Sequence, residues 1–135
     1  MSGASGKPVV QKLGIKPGFR IFVDGIRTNY AGIVGELPAG VTITAHPAAP
    51  LDMAHLFATE AAGLAERLFS CRAAIVPAGV IWVSWPKRAS GVPTDLGDVA
   101  VRSIALAQGL FDVKVCAIDE VWSGLKFVIP KAERA

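Results

Sequence analysis

Lys87, Arg88, Ser90 and Thr94 lie in one short polar loop that follows a β-branched, aromatic run and precedes a helical pattern. Two cations and two hydroxyls ahead of a helix are suited to an anion, because free N–H groups and the helix dipole favour negative charge there. The pattern predicts a phosphate or carboxylate pocket; the same residues also suit a solvated loop with an ordinary cap. Asp119 and Glu120 are adjacent, so their side chains diverge and they are not a paired-carboxylate device by spacing. A carboxylate bonded to the backbone of a turn, or paired with Lys87, is the expected role. Trp85 and Trp122 fall at strand ends and are candidate pocket walls, whereas Trp82 packs core. Asp24 and Gly25 close an early strand and complete the candidate set. His46, in a proline-rich connector, is the exposed candidate acid–base; His55 alternates into an apolar strand and reads as a hydrogen-bonded core histidine. Neither histidine has Cys, Asp or Glu at ligand spacing, so no metal site is expected. Gly-x-Ser-x-Gly, P-loop and Cys-His patterns are missing, and no catalytic residue is identified.

These residues must be positioned by strands and helices in alternation. FRIFVD over 19–24 predicts a first strand, with Thr28 or Asn29 capping a helix that carries Tyr30, Ile33, Val34 and Leu37 at helical spacing. Residues 41–44 form a second, short strand, 45–50 a rigid connector, and 51–58 an apolar strand. A helix is expected over 59–75, then a tight turn at Pro77-Ala78-Gly79 and a buried strand over 79–85. Thr94 or Asp95 is the expected cap of the next helix, and Gly109 suits the left-handed position that ends it. The runs 112–118 and 122–129 are joined by so short a link that they must form an antiparallel hairpin. The whole is an α/β domain with a mainly parallel sheet.

A chain of 135 residues with 52% hydrophobic and 19% charged content is large enough to bury one core without metal or disulfides. Residues 1–18 are expected to be a flexible segment, 19–130 a single domain and 131–135 a tail. The net charge is +3 and no basic run exceeds two residues, so nucleic-acid binding is not expected. Cys71 and Cys116 read as reduced, buried thiols of a cytoplasmic protein. The apolar runs are too short for a membrane span, and the high apolar content suits a homo-oligomer.

The segment IVPAGVIWVS, residues 75–84, resembles the helix-turn-strand L-x-P-G-G-x-L-x-V-S of class I S-adenosylmethionine-dependent methyltransferases. The terminal hairpin resembles the strand pair that closes that fold. LGIKPGFRI, GELPAGV, WVSWPKRASGVPTDL and CAIDEVWSGLKFV, within 12–130, resemble a family of short bacterial proteins of unknown function that is methyltransferase-like in outline. The resemblance implies a Rossmann-like sheet with helices on both faces and an active edge at the strand C-termini. It also implies S-adenosylmethionine as a cofactor, and two departures argue against that. The stretch after the first strand, residues 23–29, has one glycine where such enzymes carry several. Ala45-His46-Pro47 stands where an acidic residue would hold the ribose. The chain is short for such an enzyme and lacks one strand-helix unit. The expectation is therefore a non-catalytic module that binds a small anion or a protein, the alternative being a small-molecule methyltransferase.

Overall fold

The short apolar run RIFVD, covered on both faces, forms β1 (Arg20–Asp24), and the Asn29 side chain then caps α2 (Tyr30–Val34), accepting a hydrogen bond from the Ala31 N–H at 2.9 Å. The computed structural model describes residues 8–26 and 28–134. β2 (Thr42–Thr44) and β3 (Leu51–Phe57) follow, joined by the proline-rich connector without a helix. α3 (Leu64–Ala74) starts later than residue 59, because 59–63 form a loop that binds another part of the chain. Gly109, at φ 76°, takes the left-handed position beyond α4 (Asp98–Ala107). The chain closes with β5 (Phe111–Ala117) and β6 (Trp122–Val128).

Pro77-Ala78-Gly79 is not a turn ahead of a strand. It lies inside β4 (Ile75–Pro86), which pairs with β3 through Ile75 opposite Leu51 and resumes with Val80 opposite Met53. Residues 76–79 are pushed out between these two points as a bulge. Proline has no N–H to give a ladder, so the bulge absorbs it while pairing continues on both sides.

The six strands form one sheet in the order β2-β1-β3-β4-β6-β5. β2, β1, β3 and β4 are parallel, and β6 is antiparallel to both β4 and β5. α3 and α4 cover one face, over a core that includes Leu56, Leu68, Ile81, Val83, Val101 and Phe127. The other face packs α1 (Val9–Lys12) and α2 over Leu13, Ile21, Met53, Phe57, Trp82 and Ile118. Burial of side chains of this size stabilises by about 1.5–3 kcal/mol each. Leu13 and Ile15 are buried, and the Trp82 indole N–H donates to the Leu13 carbonyl at 3.1 Å. The packed body thus begins before residue 19. Residues 1–7 of the expected flexible segment lie outside the described ones, as does Ala135 of the tail.

Candidate ligand-binding rim

The strand directions place Asp24, Lys87 and Asp119 on the same edge of the sheet. β1, β3 and β4 run in one sense, and β5, antiparallel to β6, shares it. Ligands of open α/β sheets bind at this edge. His46 follows the C-terminal end of β2, which stops at Thr44 opposite Phe22; it is exposed and borders none of the crevices described below.

Strand order reverses between β1 and β3, and Asp24, Gly25, Phe57, Thr59, Glu60 and Arg67 line a crevice of about 370 Å³ at that point. Arg67, on α3, crosses it. Its Nε donates to Asp24 Oδ2 at 3.1 Å and its Nη2 to the Phe57 carbonyl at 3.0 Å. Gly25 has a φ of 96°, and a Cβ there would collide with the Phe57 carbonyl oxygen. The backbone of β3 therefore fills the space in front of Gly25. On the far side of β1, Val23, Ile26, Thr28, Tyr30 and residues 43–45 line a crevice of about 290 Å³ with no charged side chain among the described residues. Arg67 was legible only as part of the polar face of a helix; its partner is far away in sequence, and no local signal joins them.

The loop after β4 is held from both sides. The Lys87 N–H donates to the Val121 carbonyl at 2.7 Å, which ties the loop to the hairpin turn. Ser90 Oγ donates to the Lys87 carbonyl at 2.7 Å and accepts from the Val92 N–H at 3.2 Å, so this hydroxyl shapes the loop. Neither Thr94 nor Asp95 caps α4, whose N-cap is Gly97 with no side-chain bond. Thr94 Oγ1 donates instead to the Thr59 carbonyl at 2.6 Å, and Asp95 Oδ1 accepts from the Ala61 N–H at 2.8 Å. The loop and α4 enclose a crevice of about 650 Å³, walled by Trp85, Arg88, Thr94, Leu96, Gly97 and Val115 among others. Lys87 does not line it.

Trp85 and Trp122 face opposite sides of the sheet. Trp85 pairs with Ser123 and joins the core under α3 and α4, while Trp122 packs edge-on against Phe57 at a ring separation of 5.0 Å. They cannot wall one pocket. Asp119 Oδ1 accepts from the Val121 N–H at 2.8 Å and the Trp122 N–H at 2.7 Å, closing the turn. Glu120 is exposed.

His55 is a hydrogen-bonded core histidine, as expected, and joins a polar chain on the α2 side whose other members the sequence did not reveal. Tyr30 Oη lies 2.6 Å from His55 Nδ1, and His55 Nε2 lies 2.8 Å from Ser84 Oγ. All three residues are buried. Burial alone pushes the His55 imidazolium down to about 3 and raises the Tyr30 phenol. The ring is therefore neutral, and Ser84 has no access to a ligand. Cys71 and Cys116 are free thiols in the cores of opposite faces. Among the described residues no cluster of His, Cys, Asp and Glu suits a metal.

No protein-family model matches the chain, and no curated protein matches it. Solved structures do match. A SAM-dependent methyltransferase from Aquifex aeolicus superposes with a TM-score of 0.67 at 14% identity, over 90% of this chain and 87% of that one. A Burkholderia thailandensis 1,6-didemethyltoxoflavin-N1-methyltransferase gives 0.60 at 11%, over 88% and 73%. The Methanococcus jannaschii fibrillarin pre-rRNA processing protein gives 0.58 at 11%, over 85% and 68%. These similarities establish a Rossmann-like, methyltransferase-like fold. The Aquifex chain is matched over most of its own length, the other two over about two thirds to three quarters of theirs. No described helix is long and apolar enough to cross a membrane.

Proposed function

We propose that this chain is a methyltransferase-fold module that binds a small anionic ligand in the crevice between residues 87–97 and the start of α4. The observation that carries the reading is Arg88, which lines that crevice without an acidic partner among the described residues, beside a helix N-terminus with no side-chain cap. A guanidinium and free helical N–H groups suit a phosphate or carboxylate. Asp98, in the same first turn, also lines the crevice, and Arg102 lies 3.8 Å from its carboxylate. The volume falls within the range of small-molecule sites. Calorimetry with inorganic phosphate, nucleoside phosphates and dicarboxylates tests the proposal. A binder is expected whose affinity drops about tenfold in Arg88→Ala, the scale of one charge-assisted contact. Unchanged affinity in that variant, or no heat with any of these compounds, sinks it.

A second reading, S-adenosylmethionine binding at the switch point, is favoured by the fold likeness. The residues there do not fit that cofactor. The approach to Gly25 is taken by the Phe57 carbonyl, Arg67 spans the crevice, and Thr44 Oγ1 donates to the His46 carbonyl at 3.0 Å where a ribose-binding carboxylate would stand. Titration with S-adenosylmethionine decides this reading, and measurable heat would restore it.

A further inference from the structure

The chain's basic residues are scattered in sequence, yet the fold gathers a group of lysines on one face of the β5–β6 hairpin. Lys114 and Lys126 are direct cross-strand partners. Like charges in that position destabilise a sheet. Lys114 Nζ donates to the Lys12 carbonyl at 3.0 Å, which brings in the end of α1. Lys126 is shifted down by its burial and by Lys114 and Lys16, so Lys16 lies near as well. Cys116, on the same face, feels Lys12, Lys114 and Lys87. Among the described residues every ion pair is made by Arg67, Arg72 or Arg102, and none of these lysines has an acidic partner.

A bulge keeps the acid away. In a regular strand Asp112 and Lys114 would share a face. The register slips between them, with Asp112 opposite Phe127 and Lys114 opposite Lys126. Asp112 is therefore turned to the α4 side, where Arg102 Nε donates to it at 3.0 Å. Re-aiming a side chain is a recurrent use of a bulge. Phe111 stays on the lysine face, two rungs' reach from the pair, and is 57% exposed. The crevices described above all lie elsewhere.

We propose that this lysine group of β5–β6, with Lys114 and Phe111 exposed and Lys126 half-buried, is a docking surface for a single-stranded nucleic acid, with the lysines tracking phosphates and Phe111 stacking a base. Positive charge gathered without acidic partners suits a polyanion, and none of the crevices described above is lined by these lysines. An exposed aromatic beside the lysines adds the platform that such chains stack on. The sequence argued against nucleic acid because no basic run exists; the sheet supplies the run in space.

The test is fluorescence anisotropy of a labelled single-stranded 20-nucleotide RNA with the full chain over a range of salt. Binding is expected to weaken with salt. The double variant Lys114→Gln/Lys126→Gln should bind about tenfold more weakly, with a log–log salt slope shallower by about 1.4, since each single-strand phosphate contact contributes about 0.7. Removing like charges should leave the melting temperature unchanged or raised, so loss of fold does not confound the result. Phe111→Ala should weaken binding about fivefold with the slope unchanged, as for a lost stacking contact. Wild-type affinity in the double variant overturns the proposal. Equal competition by inorganic polyphosphate of matched charge also overturns it, because a bare phosphate chain offers Phe111 nothing to stack.

Discussion

His55 Nδ1 sits 2.6 Å from the Tyr30 hydroxyl in a region sealed from solvent, and its Nε2 continues the chain to Ser84 Oγ. In the neutral ring one nitrogen donates to a hydroxyl oxygen and the other accepts from a hydroxyl hydrogen, so both are satisfied without charge. Protonation would put an uncompensated charge among Phe57, Trp82 and Tyr30.

Stability should therefore fall in mild acid. The folded pKa of His55, about 3, is below the unfolded value of 6.5. Its contribution is complete above 6.5 and is lost as pH falls toward the folded value, at about 1.4 kcal/mol per pH unit. Urea unfolding should show about 2 kcal/mol less stability at pH 5 than at pH 6.5. His55→Leu should flatten that window. A wild-type protein equally stable at both pH values would contradict the burial of this ring.

Cutting either end of the chain strands a ring nitrogen. Tyr30→Phe and Ser84→Ala should each cost about 1–3 kcal/mol, the penalty for an unsatisfied buried polar group. In a thermodynamic cycle the double variant should cost other than the sum, because both act through one imidazole. Additive losses would mean the three residues do not form a unit.

Gly25→Ala should lower stability by about 2 kcal/mol or more, since a side chain there meets both a left-handed φ and the Phe57 carbonyl. A differential-scanning melt that matches wild type would show that β3 does not close over Gly25.

Thr94→Ala should loosen the rim more than it unfolds the chain. It removes the bond to the Thr59 carbonyl, at a cost of about 1 kcal/mol. Amide exchange should accelerate at Leu96, whose N–H donates to Thr94 Oγ1 at 3.1 Å, and leave β3 and β4 protected. Unaltered exchange at Leu96 would count against the loop-to-loop tie.

Both thiols should resist a thiol reagent in the folded state. Burial pushes Cys71 up to about 12, and it raises Cys116 in spite of the nearby lysines. Fast labelling is expected only in urea; a native protein that reacts at once would show an open core.

Much of the fold is written locally. Short apolar runs mark β1 and β3, Asn29 sits where α2 needs a cap, Gly109 ends α4, and the short link at Asp119 allows only an antiparallel return. Such features depend on periodicity and backbone geometry within a few residues, so sequence alone determines them. The expected Thr94 or Asp95 cap and the turn at Pro77 are local too, but stronger tertiary bonds override them. Pairing partners far apart in the chain were not legible. Arg67 finds Asp24, Tyr30 finds His55, and Lys114 finds Lys126 because strand order and register bring them together. Composition decided that there would be a core and a mild positive charge. Where that charge collects, and which carboxylate is turned away from it, depends on one slipped rung between Asp112 and Lys114. That slip is a property of the paired sheet, not of any single strand.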